Sequence, residues 1–183
     1  NKRLVKEMSK DMKRLETIAD RFSKIGSKPE LNDINIVEII NQSISYLKSR
    51  MPINTQFILK TTTKKIVSPI NETLFEWVFE NLVKNAVDAM KGKGEIVVAI
   101  SEEPANLIIN ITDNGVGIDK SISKNIFKPG VTSKKRGWGL GLSLSKRIIE
   151  EYHNGSIFVM QSEKGIGTTF TIRLPKSLKS TSV

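Results

Sequence analysis

Three groups of residues in this 183-residue chain could do chemistry together. Asp113 stands in Asp113-Asn114-Gly115-Val116-Gly117, at the end of an alternating apolar run that reads as a strand. An ionised carboxylate only accepts hydrogen bonds, so it suits the exocyclic amine of adenine, and it suits guanine or a bare phosphate badly. Gly115 and Gly117 let the backbone turn and approach a flat purine closely. Taken alone, the same letters also fit an Asx-type turn between two elements.

The second group is Gly137-Trp138-Gly139-Leu140-Gly141, which follows Lys134, Lys135 and Arg136 and leads into a helical pattern. Exposed backbone N–H groups ahead of a helix, with its dipole, bind phosphate. A dinucleotide fingerprint is ruled out by context, because it follows a strand and places its third glycine three residues after the second. No Gly-x4-Gly-Lys-Ser/Thr loop occurs either. The third group is Asn81 and Asn85. At about 100° per residue they share a face with Leu74, Val78, Leu82 and Ala89. A buried carboxamide without a partner costs about 1 to 3 kcal/mol, so each asparagine needs backbone, water or a ligand. Two internally satisfied core asparagines would fit the pattern. So would a hard, neutral oxygen for Mg2+, which binds partly through waters and substrate phosphates.

These groups need elements to hold them. Apolar residues at helical spacing over residues 1 to 25, including Leu4, Met8, Leu15, Ile18 and Phe22, predict a long amphipathic helix with a partial heptad seam flawed by Asp11. Gly26-Ser27-Lys28-Pro29 ends it. A second helix is expected from Ile36 to Leu47, capped by Asn35 with Glu38 three residues on. Short strands are expected at Thr55 to Lys60 and Lys65 to Val67. A helix over 70–90 comes next, with Ser68-Pro69 marking its start and Ser68 or Asn71 as cap. Period-two runs at 96–100 and 107–111 predict an antiparallel hairpin that delivers Asp113 at its end. Beyond the glycine cluster come a helix over 140–149 that stops near His153-Asn154-Gly155, and strands at 157–161 and 168–174. The expected divisions are 1–26, a linker 27–32, a domain 33–175 and a frayed tail 176–183.

Composition narrows the choices. Without cysteine there is no disulfide or thiolate chemistry, and structural zinc would have only His153 and carboxylates. The net charge of +10 favours anionic partners. The cations are scattered and only 6% of residues are aromatic, which argues against a base-stacking nucleic-acid platform. No run approaches the roughly 18 to 20 apolar residues of a membrane span, and no signal peptide is evident, so a cytoplasmic chain is expected, with any membrane anchor in another part of a parent protein.

Four motifs in order carry a family resemblance. Asn81-Leu82-Val83-Lys84-Asn85-Ala86 resembles the N box of sensor histidine kinases, and Asp113-Asn114-Gly115-Val116-Gly117 the G1 box. Ile126-Phe127 with Thr132-Ser133-Lys134 resembles the F box, and Gly137-Trp138-Gly139-Leu140-Gly141-Leu142 the G2 box. The covered region is about 33–175. These kinases share their ATP-binding fold with gyrase, Hsp90 chaperones and MutL mismatch-repair ATPases. The resemblance therefore implies an α+β fold: a two-layer α/β sandwich with helices on one face of a mixed, mostly antiparallel sheet, here preceded by one long N-terminal helix. It implies ATP and Mg2+ as ligands, with no other metal and no nucleic acid.

The resemblance also implies roles. Asn85 would coordinate Mg2+, Asp113 would hold the adenine amine, and a lid from Phe127 to Arg136 would close over the triphosphate. The nucleotide site would comprise Asn81, Lys84, Asn85, Asp88, Asp113, Gly115, Gly117, Ile118, Phe127, Thr132, Lys134, Lys135, Gly137, Gly139, Leu140, Gly141, Leu142 and Thr168. Asn81, Asn85, Lys134 and Arg136 would serve catalysis. Hydrolysing relatives carry a water-activating glutamate one helical turn before the metal-binding asparagine. That position is Asn81 here, which cannot act as a base, and Glu80 lies about 100° away on the wheel. Transfer to a protein acceptor is therefore expected over hydrolysis.

Residues 1–26 resemble the second helix of the dimerisation and phosphotransfer unit of these kinases, through Arg14 to Phe22. The expected partners are a phosphoacceptor helix carrying the histidine, a response regulator, and a second copy of the parent kinase paired through the N-terminal helix. His153, the only histidine, is expected to be structural. The sequence departs from the family at Trp138, where a small residue is usual, and at Phe127-Lys128-Pro129-Gly130. Trp138 could cover a closed lid or pack under the following helix. The other readings are a serine or dehydrogenase-type kinase of related fold, or a binding module without chemistry.

Overall fold

The computed structural model describes residues 29–132 and 138–177. The chain divides into a unit ending at Glu30 and a second, beginning at Leu31, that carries the described strands and helices. The expected N-terminal helix, its seam and most of the tail lie outside the described residues.

Five strands form the main sheet: β2 (Thr55–Thr61), β4 (Gly94–Glu102), β5 (Asn106–Asp113), β6 (Ser156–Glu163) and β7 (Gly167–Pro175). Their order is β2-β4-β5-β7-β6, parallel between β2 and β4 and antiparallel elsewhere. The alternation that predicts the β4–β5 hairpin sets its faces. Ile96, Val98 and Ile100 lie beside Leu107, Ile109, Ile111 and Asp113, and Phe170, Ile172 and Leu174 continue the same buried side across β7. Helices α1 (Ile36–Lys48) and α2 (Glu72–Ala89) belong to the same core. From α1 come Ile36, Ile40 and Ile44, and from α2 come Phe75, Val78, Phe79 and Leu82. This is the expected two-layer α/β sandwich with a mostly antiparallel sheet. Among the described residues, no helix is long and apolar enough to cross a membrane.

Sequence reading misplaced several joints. Asn32–Asn35 is a strand, β1, paired antiparallel with β3 (Val67–Ile70), where only a linker and a cap were expected. Asn35 precedes α1 without capping it by its side chain. Its Oδ1 accepts from Ile66 N–H at 3.2 Å and its Nδ2 donates to Lys64 C=O at 3.2 Å, so it holds the β3 approach instead. Ser68-Pro69 lies inside β3 and does not start α2. Ser68 is buried and donates to Pro175 C=O at 2.8 Å, joining β3 to the end of β7. Asn71 is the cap, accepting from Leu74 N–H at 3.1 Å. Lys176, assigned to the tail, belongs to the body: its N–H bonds Ala105 C=O at 3.1 Å and its ammonium pairs with Glu102 at 2.7 Å.

After β5 the chain makes a short helix, α3 (Lys120–Ser123), which the sequence reading missed. Asp119 caps it by accepting from Ser121 N–H at 2.9 Å. The next helix, α4 (Gly141–Arg147), widens into a π-helical turn over Ile148–Tyr152 before His153. His153 is fully buried and joins two elements. Its Nδ1–H donates to Ile148 C=O at 2.8 Å, and its Nε2 accepts from Asn71 N–H, at the α2 cap, at 3.1 Å. The expected structural role matches this geometry.

Candidate functional site

Asp113 comes last in a strand whose preceding inward residues are all apolar, so strand alternation carries its carboxylate into the layer between sheet and helices. It is 4% exposed. Oδ1 accepts from Gly115 N–H at 2.8 Å, and Thr168, its neighbour across β7, supplies a second backbone N–H. Burial raises the Asp113 pKa above the ordinary carboxylate value, and those two N–H donors act against the rise. A desolvated carboxylate with lone pairs to spare is an acceptor awaiting a donor.

The loop after Asp113 is pinned on two sides. Val116 N–H bonds Ala89 C=O at the end of α2 at 3.1 Å, and Gly165 N–H bonds Val116 C=O at 2.9 Å. Gly117 has φ 73° and faces Glu163 C=O so closely that a Cβ could not fit, so the glycine is required by both conformation and space. Ile118 N–H donates to Ser162 Oγ at 2.8 Å. Asp113, Gly115, Ile118 and Thr168 therefore form one hydrogen-bonded cluster, with Gly117 in the loop it holds.

The second cluster joins α2 to α4. Asn81 is half-buried at the edge of the apolar stripe, and its Nδ2 donates to Ser145 Oγ at 2.9 Å. Ser145 is fully buried. Gly141 opens α4 so close to the Asn81 carboxamide that any Cβ would collide with it. Leu140, at the N-cap of α4, makes no side-chain cap hydrogen bond. Asn85 is half-buried and Asp88 exposed on successive turns of α2. Lys84 is exposed, and its ammonium lies 2.6 Å from Glu80. Glu80 is thus committed to a cation on the outer face.

The described flanks of the expected lid are held to the body and to each other. Phe127 packs edge-on against Phe170, with centroids 6.3 Å apart, and the Lys146 ammonium sits 5.5 Å above its ring. Gly130 N–H bonds Gly139 C=O at 3.1 Å, tying the two stems together. Leu142 is half-buried against the core, and Thr132 is exposed. Trp138 is 62% exposed, so it does not pack under the helix. Lys134, Lys135, Arg136 and Gly137 lie outside the described residues.

Ser145 and Ser162 were missed in the sequence. Ser145 had no distinct local signal, because Ser143, Lys146 and Arg147 share its helix. Ser162 had none, because its direction depends on a β-bulge. Among the described residues, no three His, Cys, Asp or Glu side chains gather as a metal site.

Residues 70–178 match the family described as histidine kinase-, DNA gyrase B- and HSP90-like ATPase. The chain is 34% identical over 175 residues to sporulation kinase E of Bacillus subtilis, covering 92% of this chain and 23% of that protein. It is 45% identical over 112 residues to the signal transduction histidine-protein kinase AtoS of Escherichia coli, covering 60% of this chain and 18% of that protein. The chain thus spans about a quarter or less of these relatives. The catalytic domain of histidine kinase ThkA superposes with a TM-score of 0.74 at 27% identity, over 81% of this chain and 97% of that one. ThkA in complex with the response regulator protein TrrA gives a TM-score of 0.75 at 26% identity, over 92% and 49%.

Proposed function

This chain belongs to the histidine kinase-, DNA gyrase B- and HSP90-like ATPase family, and from that premise we propose that it binds Mg·ATP and passes the γ-phosphoryl group to a histidine on a separate helical dimerisation unit, in two-component signalling. The observation that carries the reading is Asp113, a buried carboxylate on the helix side of the sheet whose spare lone pairs fit an adenine amine. Its loop is fastened to the end of the helix that bears Asn81 and Asn85, so base and phosphates would lie along one wall.

Asn85 is the proposed Mg2+ ligand. One neutral oxygen cannot hold the ion alone, and Mg2+ commonly completes its shell with waters and substrate phosphates, so the residues fit a metal that arrives with the nucleotide. When bound, it would neutralise charge developing on the phosphates. The uncapped start of α4 at Gly141 would receive phosphate oxygens, and Lys134 and Arg136 would add cations from the lid.

Asn81 favours transfer over hydrolysis. It has no basic lone pair to activate water, and its amide is engaged with Ser145. His153 is unsuited as acceptor because it is buried and bonded through both ring nitrogens. The acceptor is therefore a histidine outside this sequence, on a unit shared with a second kinase copy. The ThkA complex supports a response regulator as the next recipient.

Titration of Mg·ATP into the wild-type chain and Asn85→Ala tests the metal role. Affinity should fall sharply in the variant in the presence of Mg2+ and change little with ATP in chelator. Equal affinities with Mg2+ would remove Asn85 from the site.

A further inference from the structure

Strands β6 and β7 begin in plain antiparallel register, with Ile157 opposite Ile172 and Val159 opposite Phe170. Two residues further on the register has slipped: Gln161 pairs with Thr169 and Ser162 with Thr168. Without the extra residue, alternation from Ile157 and Val159 would turn Gln161 towards the helices and Ser162 away from them. Bulges beside functional sites re-aim side chains in this way. Here the bulge places Ser162 on the same face as Thr168 and, one strand further, Asp113.

In that position Ser162 uses its whole hydrogen-bonding capacity. Its Oγ accepts from Ile118 N–H at 2.8 Å, lies 2.9 Å from Thr168 Oγ1 and donates to Gly167 C=O at 3.3 Å. Thr168 in turn supports the Asp113 carboxylate through its N–H. One hydroxyl thus joins the three parts that surround the proposed base site: the carboxylate strand, its glycine loop and the neighbouring threonine. Removing it strands Ile118 N–H and frees the Thr168 hydroxyl to rotate.

We propose that Ser162 is a positioning residue for base selection, one that holds the Thr168 hydroxyl and the Asp113 loop so that the pocket prefers an exocyclic amine to a carbonyl. This rests on the adenine reading of Asp113. Base-edge discrimination depends on polar groups being held in place, because a mispaired base then leaves buried groups unsatisfied.

The test measures Kd for ATP and ITP, which differ at that amine, on the wild-type chain, Ser162→Ala, Ser162→Cys and Ser162→Thr, together with each melting temperature. Ser162→Ala and Ser162→Cys should weaken ATP about tenfold and ITP much less, so that the preference collapses, while Ser162→Thr keeps it. Should Ser162→Ala not fold, Ser162→Cys against Ser162→Thr gives the same comparison. A wild-type chain with no preference for ATP over ITP overturns the adenine reading itself. A wild-type preference that survives in Ser162→Ala or Ser162→Cys overturns the Ser162 role alone. Equal losses for ATP and ITP overturn it too, reducing Ser162 to a loop brace.

Discussion

Asp113 sits where its charge is unfavourable, and that is the physical reason to connect it with a ligand. Its pKa is raised, chiefly by burial, so the folded state binds a proton more readily than the unfolded state. Its contribution to stability is full below the ordinary value near 3.8 and is lost as pH rises through the raised folded value. At neutral pH the carboxylate is a cost that a bound amine would offset. Asp113→Asn keeps an oxygen for Gly115 N–H and removes the charge. The substituted chain should melt no lower than the wild type at pH 7. It should bind ATP more weakly by on the order of 2 kcal/mol, about thirtyfold in Kd. Calorimetric titration beside a thermal melt separates these effects; retained ATP affinity would detach Asp113 from the base. His153 has the opposite titration logic. Burial lowers its pKa below the usual 6.5, and Nε2 needs its lone pair for Asn71 N–H. Its contribution is complete above about 6.5 and is lost as pH falls through the depressed folded value. The melting temperature should therefore fall as pH drops from 7.5 to 5.5, and His153→Gln, less stable throughout, should show a shallower fall. Parallel curves for the two proteins would contradict this.

At the scale of elements, α2 is the common support. Its first turn is held by Asn71, itself bonded to His153 beyond α4. Its middle is tied to α4 through Asn81 and Ser145, and its last turn holds the Asp113 loop through Ala89 C=O. A helix anchored at three levels presents Asn81 and Asn85 at a set height against the glycine loop. The existence of α2, of the β4–β5 hairpin and of the two last strands was legible because long periodic segments announce themselves. The short elements were not. β1 and β3 are four residues each, and their pairing joins segments more than thirty residues apart, which no local pattern encodes. Asn35 and Ser68 looked like caps because Asn and Ser favour helix starts; tertiary partners at Ile66 and Pro175 claimed their side chains instead. α3 was hidden in a polar loop with a single turn of helix.

At the scale of the molecule, the chain matches a catalytic domain almost completely, spanning 97% of the ThkA domain, and kinases such as sporulation kinase E only in part. That coverage supports the proposed division of labour: this unit binds and activates the nucleotide, and the acceptor histidine comes from a helix of the dimerisation unit outside this sequence. Incubating the chain with Mg·ATP and a separate histidine-bearing dimerisation hairpin should give an acid-labile phosphoprotein with little free phosphate. Prompt phosphate release without labelling would mark a hydrolase. The sequence by itself determined the order of the large elements, because periodicity is a local property, and its four motifs pointed to the fold class through the family they resemble. Only the tertiary structure decided that Asn81 belongs to Ser145, that Trp138 faces solvent and that a bulge brings Ser162 to Thr168. Each of these depends on how strands register and helices meet, and a one-residue slip in a strand reverses every side chain after it.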